Sequence, residues 1–198
     1  MLRLTKAGWM LGAGLLTTAS GRSREASVAA PPPPPAIRYD AAILRCAQQQ
    51  RLNPRLVKSM VAAESDFTRD AVSDKGARGL MQLLPETAEE MGVSRRQLRE
   101  PAANLRAGTA YLNWLYRAAW KQYGLEGVPY RDGPHWAQLR VVAAYHGGPA
   151  MLRRCAWPPK TRAYVSEVWR FYRCPATRLR SPAPASRPTR GGVGASML

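Results

Sequence analysis

Apolar residues recur at helical spacing from about residue 40 to residue 172 of this 198-residue chain. In the clearest stretch, three apolar residues and one glutamate occupy positions i, i+3, i+4 and i+7 on one helix face: Val57, Met60, Val61 and Glu64. Asn53 and Pro54 precede this stretch, and an N-cap residue followed by proline marks a helix start. Strand-like alternation is nearly absent, so the pattern predicts an all-α or mostly α single domain.

Capping and stop signals divide the same region into further helices. The first is a helix capped by Asp40 that runs to about Gln50, and a short helix follows from Pro85 to Gly92. A Ser94–Gln97 capping box comes before Pro101, and a long helix begins at Asn104. The last two are a helix from Trp136 to about Tyr145 and an amphipathic helix over 164–172. Residues 124–134 are expected to form a loop.

The two ends of the chain differ in composition from this helical part. Residues 1–20 have a basic start, a short apolar centre and small residues, which is typical of a secretory signal peptide; an uncleaved anchor or a buried helix is the alternative. Residues 21–36 form a Pro-rich linker with polyproline II character, and 175–198 resemble a disordered basic tail. We therefore expect a catalytic domain at 37–174 and a periplasmic or otherwise exported protein.

The formal net charge of +17 favours acidic polymers as partners. Most of this charge belongs to the folded part, because residues 37–175 carry 22 basic and 12 acidic side chains. The basic residues are scattered among acids and no nucleic-acid-binding motif accompanies them, so we expect no nucleic acid partner.

Three cysteines and two histidines limit the cofactor chemistry. Cys46, Cys155 and Cys174 leave two alternatives open, a Cys155–Cys174 disulfide or three buried thiols. The cysteines lack metal-ligand spacing, and His135 and His146 form no zinc cluster. No phosphate-loop or dinucleotide fingerprint is present. We expect no cofactor and no metal.

Glu64 interrupts an apolar helix face just before a turn rich in Ser, Asp and Gly. Burial disfavours the charged form of a carboxyl and raises its pKa, which suits a general acid that works near neutral pH. The pattern alone also allows a buried glutamate paired with an arginine. The position at the end of a helix favours a cleft.

The segment ESDFTRDAVSDKGARGLMQLLPETAEEMG resembles the catalytic domain of soluble lytic transglycosylases, within the goose-type lysozyme superfamily. The matching residues are Glu64-Ser65, Ala71-Val72-Ser73, Gly76-Ala77, Gly79-Leu80-Met81-Gln82, Pro85 and Thr87-Ala88. Three further blocks follow in the family's order: NLRAGTAYLNWL at 104–115, VVAAYHGGPAML at 141–152 and TRAYVSEV at 161–168. The resemblance implies a lysozyme-like fold over nearly all of 37–174.

The resemblance also implies a reaction: cleavage of the β-1,4 bond between N-acetylmuramic acid and N-acetylglucosamine in peptidoglycan, with a 1,6-anhydromuramoyl product. Glu64 would serve as acid and then as base, and the substrate's N-acetyl group would replace a second carboxylate. By analogy of size, a monomer of this kind could open the wall for a secretion, conjugation or pilus system. A hydrolytic lysozyme and a non-catalytic peptidoglycan-binding scaffold are the alternatives.

The same resemblance implies a set of substrate-binding residues: Ser65, Ser73, Met81, Gln82, Tyr145 and His146. The two serines equally suit turn and cap bonding. Tyr145 is expected to hold Glu64 through its phenol, whereas Tyr111 and Tyr164 suit the core better. His146 stands where the family usually has asparagine, and it brings a titratable ring to that position.

Overall fold

The computed structural model describes residues 35–175. The predicted signal peptide, residues 21–34 of the linker and the tail beyond 175 lie outside the described residues. Within 35–175 the chain forms helices and turns with two isolated β-bridges, Val72–Arg78 and Arg78–Leu83, and no strand. The mostly α fold class is therefore confirmed. In this part of the chain no helix has the length and apolarity to cross a membrane.

The described residues contain seven α-helices: α1 Pro35–Arg38, α2 Asp40–Gln49, α3 Pro54–Ser65, α4 Pro85–Glu90, α5 Pro101–Gln122, α6 His135–Gly147 and α7 Pro159–Arg173. Short 3₁₀ turns lie at Gln97–Arg99, Tyr130–Asp132 and Pro149–Leu152. Proline opens five of these α-helices, because its fixed φ and missing N–H suit the first helical turn. Residues 35 and 36, assigned to the linker above, accordingly belong to α1.

The helix that carries Glu64 is α3, and it packs against α2 and α7. The Asn53 side chain accepts a hydrogen bond from the Arg55 backbone N–H at 2.9 Å, which confirms the predicted N-cap. The apolar face that begins at Val57 is fully buried. The helix ends at Ser65 because the next residue, Asp66, adopts a left-handed backbone conformation with φ of 46°.

Asp40 differs from its predicted role as a cap. The N-cap of α2 is Tyr39, and Asp40 is the first helical residue. Its carboxylate forms an ion pair with the ammonium of Lys58 on α3, with 2.6 Å between Nζ and Oδ1, and both side chains are buried. The pair therefore joins α2 to α3 inside the core.

The centre of the core is α6, whose run from Val141 to Ala144 is completely inaccessible to solvent. Such a helix is apolar on most sides because other elements surround it, and here α5, α7 and the Pro149–Leu152 turn pack against it. α5 begins at Pro101, three residues before the predicted start at Asn104.

The cysteines match neither alternative that the sequence left open. Cys155 has an exposed free thiol, so the Cys155–Cys174 bridge is not present among the described residues. Cys46 is buried but Cys174 is only half-buried, so three buried thiols are not found either.

Candidate active site

Glu64 is a half-buried carboxyl one residue before the end of α3. Burial raises the pKa of Glu64 from its ordinary 4.5 to about 7, and the hydroxyl of Tyr164 partly opposes this rise. A carboxyl with a pKa near 7 exists in both forms at neutral pH, so it can give a proton and take one back.

Tyr164, on α7, supplies the phenol that faces Glu64. Its hydroxyl is buried and completes no hydrogen bond of normal geometry with a described residue. Burial and the nearby Glu64 carboxylate raise the pKa of Tyr164 well above its usual value. The phenol therefore keeps its proton, so it can donate towards the carboxylate form of Glu64.

Tyr145, predicted to hold Glu64, has a different partner. Its buried hydroxyl donates to the Met81 backbone carbonyl at 2.9 Å. A buried carbonyl without a donor is costly, and Tyr145 on α6 satisfies this one. Tyr145 thus fixes the loop beside Glu64, while Tyr164, which the sequence favoured as a core residue, faces the carboxyl itself.

Ser65 ties the end of α3 to the Gly-Leu-Met-Gln segment. Its hydroxyl lies 2.9 Å from the Leu80 carbonyl and 3.1 Å from the Val61 carbonyl, one turn back in the helix. This corresponds to the cap-and-turn alternative for Ser65. Because Ser65 follows Glu64 directly, its bond sets the distance between the carboxyl and the loop.

Gln82 and Ser73 also bond within the loop. The Gln82 side-chain amide donates to the carbonyls of Ala71 and Gly79, at 3.1 and 3.0 Å. Both of its N–H donors are therefore occupied, and its carbonyl oxygen is the group left to accept from a ligand. Ser73 is exposed at the loop tip, where its hydroxyl accepts from the Ala77 backbone N–H at 3.1 Å.

Met81 contributes to the site through its backbone. Its side chain is completely buried and packs against Gly108 of α5, where an added Cβ would lie 2.4 Å from the sulfur. The thioether fills the space that a glycine leaves in α5, and the contact between this side chain and substrate stays a prediction. The Met81 N–H and carbonyl are both held, by Asn104 and Tyr145.

Asn104 is a positioning residue, although the sequence pattern indicated only a helix start there. Its buried side chain accepts from the Met81 N–H at 2.8 Å and donates to the Arg78 carbonyl at 2.9 Å and the Leu98 carbonyl at 3.2 Å. An added Cβ on Gly79 would lie 2.3 Å from the Asn104 amide nitrogen, so glycine is required there. The sequence signal for this role is that Asn104 lies three residues after Pro101, which can itself begin the helix, so the amide is not needed as a cap.

His146, near the end of α6, is exposed. Its ring stacks on Tyr164 with centroids 4.6 Å apart, and its Nδ1 lies 3.4 Å from the Thr161 hydroxyl. Partial burial and the positive charge of Lys75 lower the pKa of His146. His146 therefore sits at the rim of the site and contacts the residue that faces Glu64.

The acidic residues that follow Glu64 most closely in sequence point to solvent. Asp66, Asp70 and Asp74 are all exposed. Among residues 35–175, no group of three or more His, Cys, Asp or Glu side chains could hold a metal ion. The arrangement is that of a half-buried carboxyl faced by a phenol, beside a loop fixed from three helices.

Residues 41–164 match the family model of the transglycosylase SLT domain. The chain belongs to this family. A transglycosylase of Enterobacteria phage PRD1 is 33% identical over 120 residues, which cover 61% of this chain and 37% of the phage protein. An endo-type membrane-bound lytic murein transglycosylase A of Enterobacter sp. (strain 638) is 34% identical over 112 residues, covering 52% of this chain and 51% of the relative.

A solved structure supports the SLT fold. The chain superposes with a TM-score of 0.55 and 27% identity on an inactive glutamate-to-glutamine mutant of lytic transglycosylase Slt from Pseudomonas aeruginosa. The match covers 69% of this chain and 23% of the Slt chain. The SLT domain protein thus spans between about a quarter and a half of the length of these relatives, and what it shares with them is the lysozyme-like helical domain.

Proposed function

We propose that this SLT domain protein is an exported peptidoglycan lytic transglycosylase. The observation that carries the proposal is the half-buried carboxyl of Glu64, whose pKa of about 7 suits an acid that must afterwards act as a base. Family membership supports the substrate class, because relatives include lytic murein transglycosylases. The inactive Pseudomonas mutant supports a need for a glutamate in at least one relative.

Glu64 protonates the glycosidic oxygen between N-acetylmuramic acid and N-acetylglucosamine, so the N-acetylglucosamine leaves as an alcohol. The resulting carboxylate takes the proton of the muramoyl C6 hydroxyl, and the C6 oxygen bonds to C1 to close the 1,6-anhydro ring. The proton balance returns Glu64 to its starting form, and no water is consumed. The substrate's N-acetyl group assists at C1, where many glycosidases use a second carboxylate.

The surrounding residues support this use of Glu64 by positioning it. Tyr164 faces the carboxyl with a phenol that stays protonated. Ser65 and Asn104 hold the loop beside it. Because both N–H donors of Gln82 bond within this loop, its side-chain carbonyl oxygen can accept from sugar hydroxyls or amides. Preorganised groups of this kind do not have to rearrange during the reaction.

The hydrolytic alternative has less support. A lysozyme that uses water needs a second carboxylate or a positioned water. The nearest acid in sequence, Asp66, is exposed, lies beyond the end of α3 and has a left-handed backbone conformation. A non-catalytic scaffold would not need the raised pKa of Glu64, because strongly shifted pKa values are concentrated at functional sites.

We extend the proposal to the setting of the enzyme. A domain at 37–174 acts as a monomer on peptidoglycan glycan strands, and its net positive charge suits an anionic wall. The membrane-bound relative is consistent with export. Local wall opening for a secretion, conjugation or pilus system rests on the small size of the domain alone.

The experiment is mass spectrometry of muropeptides released from purified sacculi by the full chain, by Glu64→Gln and by the control Glu89→Gln, which changes an exposed glutamate of α4. We expect anhydromuramoyl products from the wild type and the control and none from Glu64→Gln. Products with free reducing ends would make the enzyme a hydrolase. Binding without release by the wild type would favour the scaffold.

A further inference from the structure

A groove of about 980 Å³ lies on a part of the domain that the proposed reaction does not use. Its walls are the second half of α5, Arg51 in the α2–α3 turn, and the segment 126–130. Neither Glu64 nor any residue of 65–82 lines it. Its volume is at the upper end of the roughly 300–1,000 Å³ of typical ligand pockets.

The charge of the groove is positive. Arg51, Arg117 and Lys121 line it, against one acid, Glu126, and none of the three cations forms an ion pair with a described residue. Arg117 and Arg51 both lie near the Tyr130 hydroxyl, where they lower its pKa against the larger rise caused by burial. Two guanidinium groups therefore lie near the Tyr130 hydroxyl, and neither is paired with a described carboxylate.

The groove also presents a fixed aromatic surface. Trp114 is 46% exposed, and its ring stacks on Tyr111 with 6.0 Å between centroids. Trp120 donates to the Val128 carbonyl at 2.8 Å, and the Tyr130 hydroxyl donates to the Asn113 side chain at 2.9 Å. These two bonds attach the segment 126–130 to α5, so the groove exists before any ligand arrives.

The composition of the lining distinguishes between classes of ligand. The lining offers a neutral glycan no free amide or hydroxyl side chain, because the one hydroxyl there, that of Tyr130, already donates its proton within the protein. Guanidinium groups instead match carboxylates. Tryptophan, tyrosine and arginine are also the residues that carry most of the binding energy at protein interfaces.

We propose that this groove binds an acidic peptide segment of a partner protein, with an aromatic or aliphatic side chain against Trp114 and carboxylates on Arg51, Arg117 and Lys121. The proposal is independent of the reaction at Glu64, because the groove shares no lining residue with that site.

The test begins with a phage-displayed library of random dodecapeptides, selected on the immobilised full chain. We expect enrichment of sequences in which Asp or Glu flank Trp, Phe or Leu. The enriched peptides, labelled and measured by fluorescence polarisation, should bind Trp114→Ala and Arg117→Glu at least tenfold more weakly than the wild type. Affinity should also fall at least fivefold between 50 and 300 mM salt, since ion pairing at an open groove is screened.

Matched controls use surface residues outside the groove. Trp136→Ala removes a tryptophan that is 48% exposed, and Arg95→Glu reverses an exposed charge; both should bind the peptides as the wild type does, as should Glu64→Gln. Circular dichroism confirms that each variant is folded. Enrichment without an acidic motif, or equal binding by Trp114→Ala and Arg117→Glu, overturns the proposal. Binding of N-acetylglucosamine oligomers that is lost in Trp114→Ala would assign the groove to glycan and overturn it as well.

Discussion

The imidazole of His146 stacks on the phenol of Tyr164, with 23° between the ring planes, and Tyr164 in turn faces Glu64. An exposed side chain at the rim is therefore one residue removed from the proposed acid. The stack restrains the Tyr164 ring, but His146 is not among the groups that set the pKa of Glu64.

We expect His146→Asn, which restores the residue usual in the family, to retain or raise the activity on sacculi. The amide keeps a polar group at the rim, and Tyr164 remains held by the buried packing of α7. The measurement is the initial rate of muropeptide release at several pH values. His135→Asn is the control, because that histidine, at the other end of α6, meets Trp169 edge to face. A loss of tenfold or more in His146→Asn alone would give His146 a role of its own.

Tyr164→Phe and Tyr145→Phe should have separable effects. Since the Tyr164 hydroxyl lowers the pKa of Glu64, its removal raises that pKa and moves the basic limb of the pH profile of kcat/KM upward. Tyr145→Phe leaves the Met81 carbonyl without its donor, which should cost about 1–3 kcal/mol of the free energy of unfolding. We expect the basic limb in Tyr145→Phe to stay in place. A matching shift in both variants would contradict the assignment.

Glu64 should reduce the stability of the wild type above neutral pH. Its folded pKa of about 7 lies above the ordinary 4.5, so its contribution to stability is present below pH 4.5 and is lost as the pH rises to about 7. Glu64→Gln removes this titration. Urea denaturation measures the free energy of unfolding of the variant and of the wild type at both pH values. We expect the difference, variant minus wild type, to be larger by about 2–3 kcal/mol at pH 8 than at pH 4.5. A constant difference across this range would mean that the carboxyl is not desolvated.

Gly79→Ala should destabilise the protein far more than Gly76→Ala. Both glycines have positive φ, 76° and 80°, so alanine is strained at either position. A Cβ at Gly76 meets nothing within 4 Å, whereas at Gly79 it would lie 2.3 Å from the Asn104 amide nitrogen. We expect a loss of about 1–2 kcal/mol at Gly76 and of at least about 3 kcal/mol at Gly79, where the Asn104 hydrogen bonds break as well. Equal losses in thermal or urea unfolding would show that Asn104 can move aside.

Elements set by neighbouring residues could be predicted from the sequence. The N-cap at Asn53 appears in the structure, because its partner lies two residues away. The Ser94–Gln97 capping box forms only in half: the Gln97 side-chain oxygen accepts from the Ser94 N–H at 3.1 Å, but the Ser94 hydroxyl donates to the same oxygen and does not cap the following turn. The apolar face of α3 is buried as its spacing indicated. Local signals therefore placed Glu64 at a helix end correctly.

Partners distant in sequence could not be predicted from local pattern. Asp40 looks like a cap until folding brings Lys58 beside it. Tyr145 and Tyr164 stand on different helices, and only the relative rotation of α6 and α7 decides which phenol faces Glu64. Two of the three bonds of Asn104, to Met81 and Arg78, likewise depend on where α5 meets a loop more than twenty residues earlier in the chain.

The loop between α3 and α4 is anchored at one end and self-contained at the other. Ser65 and Asn104 fix the Leu80–Met81 backbone, whereas the tip closes on itself through Ser73 and Ala77. Lengthening the tip between the exposed Asp74 and Lys75 should therefore leave the carboxyl in register. A fluorophore attached to residues inserted there would signal ligand binding through its fluorescence without touching Glu64. This turn is therefore a suitable place for a binding sensor.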